Sequence, residues 1–375
     1  MKKALVVDWL DKYGGAERVI ASLENVFSFE KTYTLINVMT ENDLIKIYKK
    51  EKREIIETPI RFLKNNFRFF FFLFHYSINK IVVDKDISII ISSSHAVAKG
   101  IQKSSKEQLH ISYFQARNFN YIWDDNKLFF GNFSYLLEPI FSILRRMDIK
   151  QAQNPDYIVA NSNFVKQWIK EKYNREATII YPPVDLSNFF LVEKKENYYV
   201  SVGRIVSVKR FDILIETFKD LDFNLIIIGN GDNYEALKKK ASNNVLFTGF
   251  LESNNVNEYI SNAKGFIQVG VEGFGIASLE AQACGTPVIA FEKGGVLETV
   301  INGKTGIFFK EQTSQNLKDA ILYFETLKFI PKEIREHALQ FSKERFESEI
   351  KAFVDEKYLE HQNLRTDSLL QKVSK

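Results

Sequence analysis

The sequence predicts an α/β protein of two doubly wound domains, each a parallel sheet wrapped by helices. Three observations predict it. Apolar runs without polar alternation, such as "ALVVDW" and "ISIIISSS", suit strands buried on both faces, as in parallel sheets. Strand and helix signals alternate along the chain. The alternation stops at the paired prolines of "IIYPPVDLSNFF" and then restarts. A length of 375 residues is comfortable for two cores.

The first half reads as follows. After "ALVVDW", the stretch "GGAERVIASLENVF" opens with a Gly turn and runs as a helix with Val19, Leu23 and Val26 inward. "ISIIISSS", "QLHISYF" and "DYIVANS" are further strands, each ending in small or polar residues. The second half begins with the strand "NYYVSVGR" and the helix "RFDILIETFKDL". It continues with the strand "FNLIIIGNGD", the helix "NYEALKKKAS", the strand "VLFTGF" and the helix "NNVNEYISNA". The strand "GFIQVG", the helix "IASLEAQAC" and the strand "PVIAF" follow. From about Asn316 the chain is helical and charged, with a polar, frayed end. The expected domains are residues 1–180, residues 181–345, and a C-terminal helix, 346–375, returning toward the first. Ligands of such sheets bind beyond the carboxyl ends of the strands, in the cleft expected between the domains.

Bulk properties exclude several classes. A net charge of +4 is too small to argue for nucleic acid. The single Cys284 excludes an internal disulfide, fits a reducing compartment, and reads as a small buried hydrophobe. No run reaches the roughly 18 to 20 apolar residues of a spanning helix. The expected location is cytoplasmic, with peripheral contact to the inner face of a membrane as the alternative. The candidate for that contact is residues 61–77, where "FRFFFFLFHY" follows Arg61 and Lys64, and "KIYKKEKR" lies upstream. An aromatic run with cations suits an anionic surface, but an all-apolar helix also suits the core.

Chemistry-bearing residues fall at strand ends. Gly14 and Gly15 separate the first strand from the first helix, where a backbone can approach an anion; a tight turn needs the same residues. The pattern is not GxGxxG, which disfavours a nicotinamide cofactor. Arg204, just past Gly203, and Lys209 are five apart after a strand, a spacing that suits a diphosphate or two solvated cations. "EGFGIASLE" places Glu272 in a loop and Glu280 inside a helix that starts near Ile276. Backbone N–H groups between them form an anion site flanked by two carboxylates. A glycosidase would need two carboxylates straddling one bond, about 5 to 10 Å apart, and Glu280 behind a helix start is poorly placed for that. "DKD" at Asp84–Asp86 and "DLD" at Asp220–Asp222 precede apolar strands and read as loop acids, and no His or Cys cluster has zinc spacing. The expectation is that no metal is required.

The set "GGAER", "SVGRIVSVKRFDILIETF", "GNGD", "TGFL" and "EGFGIASLEAQACGTPVIAF" resembles the retaining GT-B glycosyltransferases of family four. Their two Rossmann-like domains face each other across a cleft. "SSSHAVAKG" with "RNFNYIWDD" is similar to a bacterial branch of O-antigen mannosyltransferases. The resemblance implies a nucleotide-diphospho-sugar donor, GDP-mannose by the narrower match, and a saccharide or polyprenyl-diphosphate-linked acceptor. Arg204 and Lys209 would hold the diphosphate, Glu272 the transferred sugar and Glu280 the ribose. Backbone amides of Phe274, Gly275, Ile276 and Ala277 would reach sugar and phosphate. Gly14 and Gly15 would close over the diphosphate, and Gly249 and Phe250 would border the base. One position departs from the family: in "HISYFQA", Gln115 stands where these enzymes have a histidine. Gln115 orients a hydroxyl but moves no proton. His95, after a strand, either approaches the cleft or is a satisfied structural residue. A UDP-sugar donor, or a non-catalytic sensor of the same fold, are the competing readings.

Overall fold

The computed structural model describes residues 1–48, 54–187 and 189–373. The chain forms two compact units, Met1–Pro183 with Glu344–Lys375, and Val184–Lys343. Each unit is a doubly wound parallel α/β structure.

The sheet of unit 1 contains β1 (Lys2–Val7), β2 (Lys31–Thr34), β3 (Glu54–Glu57), β4 (Ile87–Ser94), β5 (Leu109–Phe114), β6 (Tyr157–Ala160) and β7 (Thr178–Ile179). Their order is β3-β2-β1-β4-β5-β6-β7, and every pair is parallel. Unit 2 contains β8 (Glu196–Val202), β9 (Asn224–Ile228), β10 (Val245–Gly249), β11 (Ala263–Gln268), β12 (Val288–Phe291) and β13 (Gly306–Phe309). These run in the order β10-β9-β8-β11-β12-β13, also parallel. Each order reverses direction once, between β1 and β4 and between β8 and β11. Such switch points leave room for a ligand beyond the strand ends.

Both faces of the first sheet are covered, which explains the unbroken apolar strands. Ala4, Val6 and Ile90 enter one core cluster, and Leu5, Val7, Ile89 and Ile91 the other. The C-terminal helix, Lys343–Val373, closes that second cluster with Phe346, Ile350 and Val354, four residues apart and fully buried. Its backbone stays helical to Val373, so the frayed end expected from polarity is corrected: intrahelical hydrogen bonding continues.

The aromatic run is not one helix. Residues Pro59–Leu73 form 3-10 turns broken at Lys64 (φ 48°) and Phe70, and an α-helix begins only at Phe74. Core and surface share it: Phe67 and Phe74 are buried, while Phe69, Phe72 and Leu73 are exposed. Of the basic stretch upstream, residues 49–53 lie outside the described residues. Among the described residues, no helix is long and apolar enough to cross a membrane.

Two core histidines give the fold a pH dependence. His110 is fully buried with Nε2 2.8 Å from the Ser92 hydroxyl, and burial pushes its pKa down to about 3. His75 is buried too, and its pKa is also lowered by desolvation. His110 stays neutral in the fold but takes up a proton in the unfolded chain below the ordinary pKa near 6.5, and the lowered pKa of His75 acts in the same direction. The unfolded state then binds more protons, so stability falls as pH falls. His110 alone is expected to remove about 2 kcal/mol between pH 7 and 5. Urea midpoints across that window test this, and His110→Asn should flatten the slope.

Candidate functional site

In unit 2 the loops after β8, β9, β11 and β12 meet at the carboxyl edge of the sheet. Gly203 N donates to Ile228 O at 3.0 Å, Ile205 N to Asn230 O at 3.0 Å, and Gly229 N to Gly249 O at 2.9 Å. Gly229 has φ +139°, and a Cβ there would stand 1.9 Å from Gly203 O. That glycine of "GNGD" thus serves close stacking of two loops.

The 3-10 turn Ser207–Lys209 delivers Lys209 beside the loop after β11, where its Nζ contacts Glu272 Oε1. The two side chains are about a quarter exposed, 24% and 29%. Burial, with the neighbouring Arg204 charge, pushes the Lys209 ammonium down to about 7. The Glu272 carboxylate in contact opposes that loss of charge. Arg204 itself lies exposed one residue past Gly203.

Glu272 is fixed from the other side by the loop after β12. It bridges to Gly294, and its carbonyl accepts Gly295 N at 3.0 Å. A Cβ on Gly295 would lie 2.3 Å from Gly273 O and 2.4 Å from Phe274 Cα. Gly275 then caps the helix Ile276–Ala283. Amides at that helix start have no preceding turn to supply carbonyls, and they carry the positive end of the dipole. Phe274 is buried; Glu280, inside the helix, is only 7% exposed. Gly249 ends β10 with φ +75°, and Phe250 beyond it is exposed. Lys209, Glu272, Gly275 and Ile276 are therefore brought together.

Sequence reasoning missed Gln268, the last residue of β11. It is buried beside Gly275, and its Nε2 has no hydrogen-bond partner among the described residues. A glutamine ending an apolar strand carries no signal of this.

In unit 1, Gly14 caps the helix Gly15–Phe27, and its N–H donates to Glu17 Oε2 at 3.0 Å. That carboxylate reaches back as in a capping box and occupies the amide. The Gln115 amide nitrogen donates to Ala16 O at 3.1 Å and to the Ser93 hydroxyl, tying that helix to β4. The larger surprise is Asp8, buried at the end of β1. Its two oxygens accept the backbone amides of His95, Ala96, Val97 and Ala98 at 2.5–3.0 Å. Asp8 Oδ2 also lies 3.1 Å from His95 Nδ1, and the His95 ring stands edge-on to Trp9 at 4.5 Å. His95 is thus a structurally anchored residue whose ring is still partly exposed, at 31%. The run "DW" after an apolar strand was the available signal.

Asp84 and Asp86 pair with Lys31 and Lys2, both at 2.6 Å. Among the described residues, no group of three or more His, Cys, Asp or Glu is placed to hold a metal ion. Cys284 is buried, and desolvation pushes its thiol up to about 12.

Unit 2 is thus a Rossmann-like α/β domain that sets a cation–carboxylate pair ahead of a helix start. The family described as "Glycosyl transferases group 1" matches residues 185–344, so unit 2 is a domain of that family. An uncharacterized glycosyltransferase of Methanocaldococcus jannaschii, MJ1178, is 32% identical over 195 residues, covering 51% of this chain and 55% of the relative. The O-antigen chain mannosyltransferase RfbU of Salmonella typhimurium is 27% identical over 215 residues, covering 54% and 60%. The chain thus spans little more than half the length of these relatives. Among solved structures, sucrose-phosphate synthase of Thermosynechococcus elongatus superposes with a TM-score of 0.73, covering 96% of this chain and 100% of that one, at 14% identity. That likeness establishes the GT-B fold.

Proposed function

We propose that this protein is a retaining, metal-independent glycosyltransferase of family four. It moves a hexose from a nucleotide-diphospho-sugar to a saccharide acceptor. The observation that carries the reading is the Lys209–Glu272 pair, held beside Arg204 and ahead of the helix start at Ile276. The diphosphate takes Lys209, Arg204 and the amides of Gly275 to Ala277. Glu272 then turns to the sugar hydroxyls, and Glu280 receives the ribose. Gly249 and Phe250 border the base, and Gly14, Gly15 and Gln115 serve from unit 1. The C1–O bond to phosphate breaks while the acceptor oxygen bonds C1 on the same face. The acceptor proton passes to the departing phosphate oxygen, whose charge the two cations stabilise.

GDP-mannose is the proposed donor, supported by the mannosyltransferase among the relatives. The proposed acceptor is a lipid-linked saccharide of bacterial surface polysaccharide, met at the inner face of the cytoplasmic membrane through residues 61–77. Thermal unfolding with GDP, UDP, ADP and their sugars tests the donor, because a ligand of the native state raises stability. A shift with GDP-mannose is expected. A shift only with uridine compounds would move the donor to a UDP-sugar, and no shift with any nucleotide would sink the reading.

Gly295→Ala gives an independent check on the loop. The added Cβ meets backbone of Gly273 and Phe274, which cannot yield without moving Glu272. A displacement of about 1 Å can cost roughly 100-fold in turnover. Transfer is expected to fall by that order; near-normal rates would show that the loop position is unimportant.

A further inference from the structure

Two separate segments of unit 1 expose large apolar side chains. In the first, Phe62, Phe69 and Tyr76 are exposed between Pro59 and Asn79, Phe69 at 77%. The second is the stretch from Asn126 to Gln151, a short helix, a 3-10 turn and the helix Ser134–Gln151. That last helix is apolar on two faces. Phe141 and Leu144 point into the core, whereas Leu136, Ile140 and Ile143 line the outer face at helical spacing and are exposed. A helix resting on a soluble core normally turns a polar face outward. Phe133, 72% exposed, extends the same surface.

The segments are one surface. The exposed Phe72 ring lies 6.1 Å from Phe71, Phe71 lies 5.8 Å from Phe130, and Phe130 lies 6.5 Å from the exposed Phe129. Contiguous exposed apolar patches of this kind mark an interaction site.

Charge selects the occupant. Residues 59–80 hold four cations, Arg61, Lys64, Arg68 and Lys80, and no acid. Residues 126–150 hold four more, Lys127, Arg145, Arg146 and Lys150, against Glu138 and Asp148. Asp148 is buried. The whole chain is only +4, so the two segments are net positive and the remainder net negative, although Arg68 is paired with Asp11 and Arg145 with Glu138. A symmetric pairing with a second copy would set this positive patch against itself. Aromatic and aliphatic side chains interleaved with cations fit an anionic bilayer, where rings enter the headgroup boundary and ammonium groups meet lipid phosphate.

We propose that both segments together form a docking surface for an anionic lipid bilayer, with the outer face of the helix Ser134–Gln151 as its second half. This extends the contact suggested for 61–77 and is independent of the donor. The test is flotation of the full chain with phosphatidylcholine vesicles, with and without about 30 mol% phosphatidylglycerol, enough to give a negative surface potential. Binding only to the anionic vesicles, weakened by salt, is expected. Phe69→Ser/Phe72→Ser and Leu136→Ser/Ile140→Ser should each lower binding at least about tenfold. Their side chains are exposed, so unchanged unfolding midpoints and an unchanged nucleotide shift are expected beside that loss. If the Leu136 variant fails to fold, Arg146→Glu/Lys150→Glu reads the same half. Equal binding to neutral vesicles, or wild-type binding by the second-segment variants, would overturn the proposal. So would a concentration-dependent dimer that Leu136→Ser/Ile140→Ser dissolves.

Discussion

Lys209→Ala is expected to lower sugar transfer by roughly 10²–10³-fold, the usual cost of removing one group that stabilises a departing charge. The side chain is three-quarters buried yet lies at the sheet edge, so the thermal midpoint should change little. Turnover of the same order as wild type would sink the donor-site assignment. Glu272→Gln probes the pair from its other member and carries a distinctive sign. In the intact protein the carboxylate sustains the ammonium against burial. Burial and the Arg204 charge already press the Lys209 pKa down to about 7, and loss of the carboxylate should lower it further. Lysine is charged below its pKa. Nucleotide affinity should therefore fall as pH rises through about 7 in the wild type, and over a lower pH range in the Glu272→Gln variant. Calorimetric titration at pH 6 and 8 reads the difference.

Asp148→Ala is expected to destabilise unit 1 by about 3–5 kcal/mol, because it leaves a buried ammonium uncompensated. Lys99 and Asp148 have no solvent exposure, and Lys99 Nζ meets Asp148 Oδ1 at 2.6 Å. The other oxygen, Oδ2, accepts from Trp123 Nε1 at 2.9 Å and Tyr173 OH at 2.5 Å. One deletion thus orphans a charge and two donors. The double variant Lys99→Met/Asp148→Leu removes the charge as well and should lose less than Asp148→Ala. A double variant as unstable as the single one would mean that packing, and not the ion pair, sets the cost. Lys99 sits in the short turn Ala98–Gly100 after β4, directly beyond the amides that Asp8 holds. The loop carrying His95 is therefore fastened at both ends.

The alternation of strand and helix was legible because most strands are buried on both faces and need no polar residues. Four strands were not. β2, "KTYT", is interior to its sheet, yet it reads as polar because Thr32 and Thr34 are buried through hydrogen bonds. β3, β7 and β13 are short strands at the sheet edges, outside the run of buried interior strands that the apolar pattern marks. At the site, spacing along the chain suggested that Lys209 partners Arg204. The contact it makes is with Glu272, 63 residues away. Only the packing of loops after β8 and β11 brings those together. Asp8 escaped for the same reason: its partners are 87 to 90 residues distant. The Phe-rich run showed that one segment was unusual. The outer face of Ser134–Gln151 stayed hidden, because a helix apolar on two sides reads from sequence as a buried one.

The path of the chain through its two units has a consequence for biosynthesis. Unit 2 is one continuous stretch, Val184–Lys343, whereas unit 1 needs residues from both ends of the chain. Phe346, Ile350 and Val354 fill the cluster around Leu5, Ile89 and Ile111. On the ribosome the second unit therefore has all its residues before the first does, reversing the usual N-to-C order. Until the last helix emerges, the groove that receives it stays uncovered. Folding of the N-terminal half is thus timed by the synthesis of residues about 340 positions from its first strand.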